Sequence, residues 1–517
     1  MIALDLSLEN LYRQYYRCRR NKRNTVNALR FEAEQEKNLI ELREALLDRS
    51  YQPRRSVCFF TTRPKLREII AADFRDRVVH HLLVDYLELI WEPIFIHDSY
   101  ACRTGKGVHK GVLRLQQCIR QATANGTRPV WYLQLDIRNF FMSIDRDILF
   151  GMLAAKLRDE TALWLARMLV YHDVTANCQF RGRRDLLDKI PPHKTLFGTP
   201  DNQGLPIGNL NSQFFANVYL NALDQFVKHE LKCRHYLRYC DDFVLLANDP
   251  ETLRDWRGRI EAYLTDRLAL ALNPRQRLAP VSNGIDFLGY IVRRDYCLVR
   301  RRVVGHLKEQ LQSFEAQLVQ NDSRVCSYHF DPEVLDRLAA TLASYLGHLK
   351  GAQTWRLRQA LWARHSFLSR YFRFDARAWK LVRRYTSPRG RCRARQQYHY
   401  WKGRWPDDAM FFQVGRFIEC YDAAPPEWVR WLGLKRMRPN RRGAHYGFPL
   451  HQMARHLRRL LGRGLCVTVI GERERPGCRT KERVPVWRYE PMGSGAPGRA
   501  RQPEGLEHGL PNGLVRA

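Results

Sequence analysis

Apolar residues recur along this chain with two periods. In residues 28–47, Phe31, Leu39, Leu42 and Leu46 stand among Glu, Lys and Arg at helical spacing, which predicts an amphipathic scaffold helix. In 212–231, Phe215, Val218, Ala222 and Phe226 fall on one helical face. Short runs such as WYLQLDI, FVLLA and IDFLGYIV read as strands, so residues 55–290 are expected to be α+β. From about 299 the texture is helical. Leu307, Leu311, Phe314 and Leu318 mark one helix, Leu335, Leu338, Leu342 and Leu346 a second, and 353–372 a third. Residues 373–405 are crowded with Arg and carry Tyr385, Tyr398, Tyr400, Trp401 and Trp405. They read as a basic linker, either solvated or able to pair phosphates and stack unpaired bases. A second α/β pattern follows to about 490. There Met453, Leu457, Leu460 and Leu461 predict a helix closed by Gly464, with LCVTVIG as a buried strand. The Gly/Pro-rich stretch 491–517 is expected to be disordered.

Charge narrows the class. Against 53 Asp and Glu stand 87 Lys and Arg, a formal net charge of +34. Such an excess repels itself unless a polyanion compensates it, which points to nucleic acid. The 13 cysteines are odd in number and contain no C-x-x-C pair, which argues against a disulfide framework or a Cys-paired zinc site. No run approaches the roughly 18 apolar residues of a membrane span. The expectation is a cytoplasmic chain with no membrane partner.

Chemistry enters with three carboxylates. HYLRY and FVLLA flank Cys240-Asp241-Asp242, which predicts a hairpin with the acids at its tip. WYLQLDI delivers Asp136 to the end of another apolar strand. Acids brought to one sheet edge suit hard divalent cations, which prefer carboxylate oxygens and keep positions open for phosphates. Two such ions could activate a 3′-hydroxyl and stabilise departing pyrophosphate.

Tyr239-Cys240-Asp241-Asp242 resembles the Y-x-D-D of reverse transcriptases, and Asp136 to Phe141 resembles their D-x-x-x-F-F strand. The resemblance implies that Asp136, Asp241 and Asp242, with the Ile137 carbonyl, hold two Mg²⁺ ions, for which Mn²⁺ can substitute. It makes Phe141 a steric gate against ribonucleotides. RPKLREIIAADFRDRVVHH resembles a fingers segment, with Lys65 and Arg67 on the triphosphate. HDSYACRTGKGVHKGV implies contacts from Arg103 and Lys106 to the template nucleic acid or to the fingers backbone, and QGLPIGNLNSQFFANVYL implies nucleotide binding around Gly208 and Gln213. Where many relatives have a lysine near the asparagine-proline, this chain has Arg275 and Arg277, which would act electrostatically on the pyrophosphate side. Template RNA, a DNA or RNA primer, the RNA–DNA hybrid and dNTPs are the implied partners.

The run I-G-x-x-x-S-Q, with Ile207 and Gln213, is similar to reverse transcriptases of diversity-generating retroelements, which copy RNA with errors opposite adenine. That relationship implies mutagenic retrohoming and a small basic accessory protein. A defence-linked or other specialised bacterial enzyme, a group II intron-like enzyme and a non-catalytic nucleic-acid binder are the alternatives. DDAMFFQVGRFIECYDAAPP and the run from Tyr446 resemble the N-terminal mismatch-recognition domain of MutS proteins, which makes Phe417 the wedge and Glu419 the base-contacting acid. The expected organisation is a helical extension (1–54), fingers and palm of a right-hand polymerase (55–292), a helical thumb (293–372), the basic linker (373–405), a small α/β MutS domain I-like module (406–490) and the tail.

Overall fold

The computed structural model describes residues 3–20, 25–62, 65–375, 379–388, 393–437, 443–474 and 481–492. The chain divides into two compact units, Met1–Cys297 and Leu298–Ala517. Both are α+β, as the periodicities require.

The first unit holds two sheets that matter for the site. β1 (Ser56–Thr61), β2 (Arg67–Ala71) and β4 (Cys178–Phe180) form one, in the order β2-β1-β4. β3 (Trp131–Asp136), β5 (His235–Tyr239), β6 (Asp242–Ala247) and β7 (Arg277–Pro280) form the other, in the order β5-β6-β3-β7. Three helices support the second sheet: α1 (Phe74–Trp91), α2 (Leu210–Gln225) and α3 (Pro250–Leu268). The start of α3 is written in Asp249-Pro250-Glu251. Asp249 accepts from Thr252 N at 2.7 Å, Pro250 needs no donor in the first turn, and Glu251 faces the positive helix end. The helices expected in residues 1–54 pack into the first unit. Leu11, Tyr15, Leu39, Leu42 and Leu46 are buried in one core with Val78, Leu82 and the palm-side residues Leu133 and Phe243. The apolar run IDFLGYIV is not one strand. Leu288 and Gly289 both take positive φ (52° and 92°), and the run folds into a hairpin of Ile285–Phe287 with Tyr290–Val292.

The second unit is built on one seven-stranded sheet. In chain order its strands are β8 (Val319–Asn321), β9 (Val325–His329), β10 (Ala409–Val414), β11 (Phe417–Cys420), β12 (Tyr446–Pro449), β13 (Val467–Arg473) and β14 (Glu482–Pro491). Their spatial order is β8-β9-β14-β13-β10-β11-β12. The β8–β9 hairpin lies between the first two predicted helices, α4 (Arg301–Leu318) and α5 (Pro332–Leu349), yet β9 pairs with β14 from Val325↔Pro491 to His329↔Trp487. The His329 and Trp487 rings stack at 4.4 Å. The third predicted helix stops at Arg364; a short turn, Leu368–Tyr371, then leads into a strand, Phe372–Asp375.

The expected basic linker is folded. Ala394–Lys402 is a helix, α6, and Tyr398 and Trp401 on it are fully buried. Trp401 Nε1 donates to the Arg483 carbonyl at 2.8 Å, and Trp405 stacks on Trp401 and meets the Phe330 ring edge-on. These aromatics are core, not stacking platforms for bases. Their burial against β9 and β14 joins the helices and the carboxy-terminal sheet in one hydrophobic cluster running from Leu307 to Tyr489. From residue 493 on, the stretch expected to be disordered lies outside the described residues.

This shared core predicts the effect of truncation. A chain ending at residue 405 loses the partners of β9 and uncovers Phe330, Trp401 and Trp405, each large aromatic contributing about 3–5 kcal/mol when buried. Hydrogen exchange should show β9 and α5 unprotected in that chain. Native-like protection there would mean that the helices fold without the sheet.

Candidate active site

β3 and β6 are antiparallel in a register running from Trp131↔Ala247 to Asp136↔Asp242. Their central residues, Leu133, Leu135, Phe243, Val244 and Leu245, are buried, so only the strand ends can carry charge toward solvent. β5 and β6 are joined by a two-residue turn, Cys240-Asp241, between the paired Tyr239 and Asp242. Cys240 takes φ 57°, a left-handed conformation that costs a side-chain-bearing residue about 1–2 kcal/mol. Ile137 N donates to the Asp241 carbonyl at 3.3 Å, which stitches the turn to the end of β3.

The result is that the Asp136 and Asp241 carboxyls face each other within hydrogen-bonding reach. Burial, then the charge of Asp241, raises the Asp136 carboxyl above the usual carboxylate range. Burial raises Asp241 as well. Asn273 braces Asp136 twice: its side-chain amide donates to Oδ2 at 2.8 Å and its main-chain N to the carbonyl at 2.7 Å. Asp242 lies opposite Asp136 in the β3–β6 register. Its Oδ1 accepts from Gln134 Nε2 at 3.1 Å, and the same amide also donates to the Asp286 carbonyl at 3.0 Å. Among the described residues no group of three or more His, Cys, Asp or Glu forms a ready-made metal cage. Two half-buried oxygen-donor carboxyls with mutual repulsion fit a divalent cation, which would remove that repulsion.

Cationic residues at and just before the start of β2 reach the pair. The charge of Lys65 acts on Asp136 and that of Arg67 on Asp241, and both side chains are exposed. Phe141 follows the left-handed Asn139 (φ 48°) in a one-turn helix and is half-buried. Gly208 has φ 128°, and a Cβ there would lie 2.9 Å from the Ile70 carbonyl oxygen. Glycine lets the segment close on β2, where Ile70 N donates to the Ile207 carbonyl at 2.8 Å and Ala72 N to Asn209 Oδ1 at 3.1 Å. Gln213 is exposed in the first turn of α2. Arg275 is exposed beside Asn273, whose Oδ1 accepts from Arg275 N at 3.1 Å. Arg277, opposite Gln134 on β7, lies over the Tyr132 ring at 5.8 Å.

Of the template or fingers-backbone contacts expected of Arg103 and Lys106, main-chain ones are present. The Arg103 side chain is only 6% exposed; it forks onto Glu92 at 2.7–3.1 Å and donates to the carbonyls of Ile96 (2.7 Å) and Ser99 (3.1 Å). Lys106 Nζ donates to the His97 carbonyl at 2.7 Å and lies over the Tyr100 ring at 4.9 Å. Both lock the loop after α1. Sequence reasoning missed Gln134, Asn273, Asp224 and Arg238. The last two were detectable as single charges in apolar stretches of α2 and β5.

In the second unit Phe417 is 48% exposed, just past a turn at Gly415 (φ 60°). Glu419, paired with Phe412 on β10, is buried and accepts from the Tyr421 hydroxyl. The expected wedge and base-contacting acid thus differ in access.

A family model described as reverse transcriptase (RNA-dependent DNA polymerase) matches residues 61–292, which include the four-stranded sheet and all three acids. The chain carries a reverse transcriptase domain. The match supports an RNA-directed DNA polymerase, and reverse transcriptases generally use divalent metal ions. A second model, MutS domain I, matches residues 393–492. Protein YkfC of Escherichia coli (strain K12) is 25% identical over 336 residues, covering 57% of this chain and 81% of that one. The group II intron-encoded protein LtrA of Lactococcus lactis subsp. cremoris is 27% identical over 195 residues, 37% of this chain but only 28% of LtrA. Among solved structures, apo telomerase from Candida tropicalis, truncated from its C-terminal domain, aligns with a TM-score of 0.36 and 13% identity over 48% of this chain and 56% of that one. No helix among the described residues is long and apolar enough to cross a membrane.

The reverse transcriptase site stores repulsion. A carboxyl raised on folding holds its proton to higher pH than in the unfolded chain, where it titrates near about 4. Ionising Asp136 and Asp241 together therefore destabilises the fold as pH rises above that value. Asp241→Asn should raise the melting temperature at pH 8 in EDTA by roughly 2–4 °C while abolishing primer extension in Mg²⁺. A lowered melting temperature would contradict the stored repulsion.

Proposed function

We propose that the chain copies RNA into DNA by adding deoxynucleotides to a primer 3′-end on a pair of Mg²⁺ ions. The observation that carries this reading is the meeting of Asp136 and Asp241 at the end of two apolar strands, with Lys65 and Arg67 across from them. Asp136 and Asp241 would hold the metal, assisted by Asp242 and the Ile137 carbonyl; Mn²⁺ would fit the same oxygen donors. The bound ions supply Lewis acidity at the attacking hydroxyl and at the phosphate. Asn273 keeps Asp136 turned toward Asp241. Lys65 and Arg67 neutralise the incoming triphosphate, and Arg275 and Arg277 stabilise departing pyrophosphate as fixed charges. Phe141 walls the sugar 2′-position, and Gly208 and Gln213 border the nucleotide.

The product is error-prone cDNA of the kind diversity-generating retroelements make. Ile207 supports this. Its carbonyl is tied to β2, and its side chain packs with Cys58, Ile70, Met142 and Leu196. No side-chain amide is present at this position to restrain the templating pair. A faithful group II intron-like enzyme is the rival, favoured by the likeness to LtrA. Sequencing cDNA made on a defined RNA separates them: errors should concentrate opposite adenine and fall about tenfold in Ile207→Gln, a change worth the ~1.4 kcal/mol that one polar contact supplies. Uniformly low error in the parent protein would favour the rival.

The MutS-like part would present Phe417 to base pairs whose stacking is already weakened, where a wedge is least opposed. Phe417→Ala should weaken binding to a mismatched RNA–DNA hybrid by about tenfold, in line with the value of one stacked ring, and leave matched hybrid unchanged. Equal loss on both duplexes would make this face a general nucleic-acid anchor.

A further inference from the structure

Two charged residues face each other beneath the Cys240-Asp241 turn, where the surrounding residues are apolar. Asp224 near the end of α2 and Arg238 on β5 both have side-chain exposure of 0%. Arg238 Nε and Nη2 donate to the two oxygens of Asp224 at 2.8 and 2.6 Å, and the Tyr236 hydroxyl adds a third donor to that carboxylate at 2.7 Å. The remaining arm of the guanidinium points along the chain. Arg238 Nη1 donates to the Cys240 carbonyl at 3.1 Å and to Asn217 Oδ1 at 3.2 Å. Asn217 is itself held through its donation to the Ala101 carbonyl at 2.9 Å. The main chain of Arg238 is pinned on both sides, donating to the Asp98 carbonyl and accepting from Tyr100 N, each at 2.9 Å.

We propose that Arg238 is a positioning residue for the catalytic turn: anchored by Asp224 and Asn217, it grips the Cys240 carbonyl and so sets the peptide that aims Asp241 at Asp136. This rests on the reading of Asp241 as a metal-holding residue. The physical reason for the grip is the left-handed Cys240. A side-chain-bearing residue leaves that conformation readily unless a neighbour over-determines it. Rotating the Cys240–Asp241 peptide would move the Asp241 carboxyl and break the Ile137 N bond to its carbonyl. The clamp also has little reason to exist for stability alone. A buried ion pair replaced on both sides by apolar groups of similar volume commonly leaves a protein as stable or more so, while loss of one partner strands a charge.

That asymmetry provides the test. Arg238→Met/Asp224→Leu removes the grip without stranding a charge. It should melt near the parent protein, yet need about 10–100-fold more Mg²⁺ for half-maximal thermal protection, the effect typical of losing an outer-shell support, with kcat lowered and the primer–template KM little changed. A purely structural pair would leave the Mg²⁺ midpoint where it is. Arg238→Lys keeps the charge opposite Asp224 but loses the fork; it should show the same Mg²⁺ shift and decides the matter if the double variant does not fold. Unshifted Mg²⁺ midpoints in whichever of these fold overturn the proposal. Asp241→Asn, run alongside, tells the two readings apart. If it still extends primers, the reading of the site fails; if it is inactive and the Arg238 variants behave as the parent, only the clamp fails.

Discussion

Two carboxyls of the same sign are held against each other at the end of a buried sheet, and the surrounding structure keeps them there. Left alone, Asp136 and Asp241 would separate or stay protonated. The β3–β6 register delivers the first to the strand end, and the tight β5–β6 turn delivers the second. Asn273 fixes one carboxyl by its side chain and main chain, and Ile137 ties the turn to the strand. A site arranged this way is incomplete by itself and gains most from a doubly charged cation, which is the chemistry a nucleotidyl transfer needs.

The second unit changes what a MutS-like module means here. In the mixed sheet, β9 from the helical segment and β14 from the carboxy-terminal segment are neighbours, and the aromatics of α6 close the core over them. Helices and sheet are one folding unit. Any contact the exposed Phe417 face makes with a duplex is therefore made by the same body that carries α4 and α5.

Local signals were readable and non-local ones were not. Asp136, Asp241 and the hairpin between β5 and β6 follow from strands that are apolar up to an acid, and the start of α3 follows from three consecutive residues. The Glu92 partner of Arg103, eleven residues earlier and just past the end of α1, could not be read, because an arginine in a glycine-containing loop resembles a phosphate contact. The segment 373–405 misled for the same reason: its arginines suggested solvent, while Trp401 and Trp405 find their partners in β14 and beside β9, far away in the chain. The Gln134 amide that holds Asp242 is silent in any motif. Single charges inside apolar runs, as at Asp224 and Arg238, were the overlooked signal.

The central claim is that Asp136 and Asp241 form one cation site. Iron-directed cleavage tests it most directly. With Fe²⁺ in place of Mg²⁺, hydrogen peroxide as oxidant and ascorbate to regenerate Fe²⁺, hydroxyl radicals cut the chain next to the bound ion. Cuts should map beside residues 136 and 241 together, vanish when excess Mg²⁺ is added, and be absent from the Asp241→Asn protein. Cleavage at one position without the other, or at neither, would contradict the account.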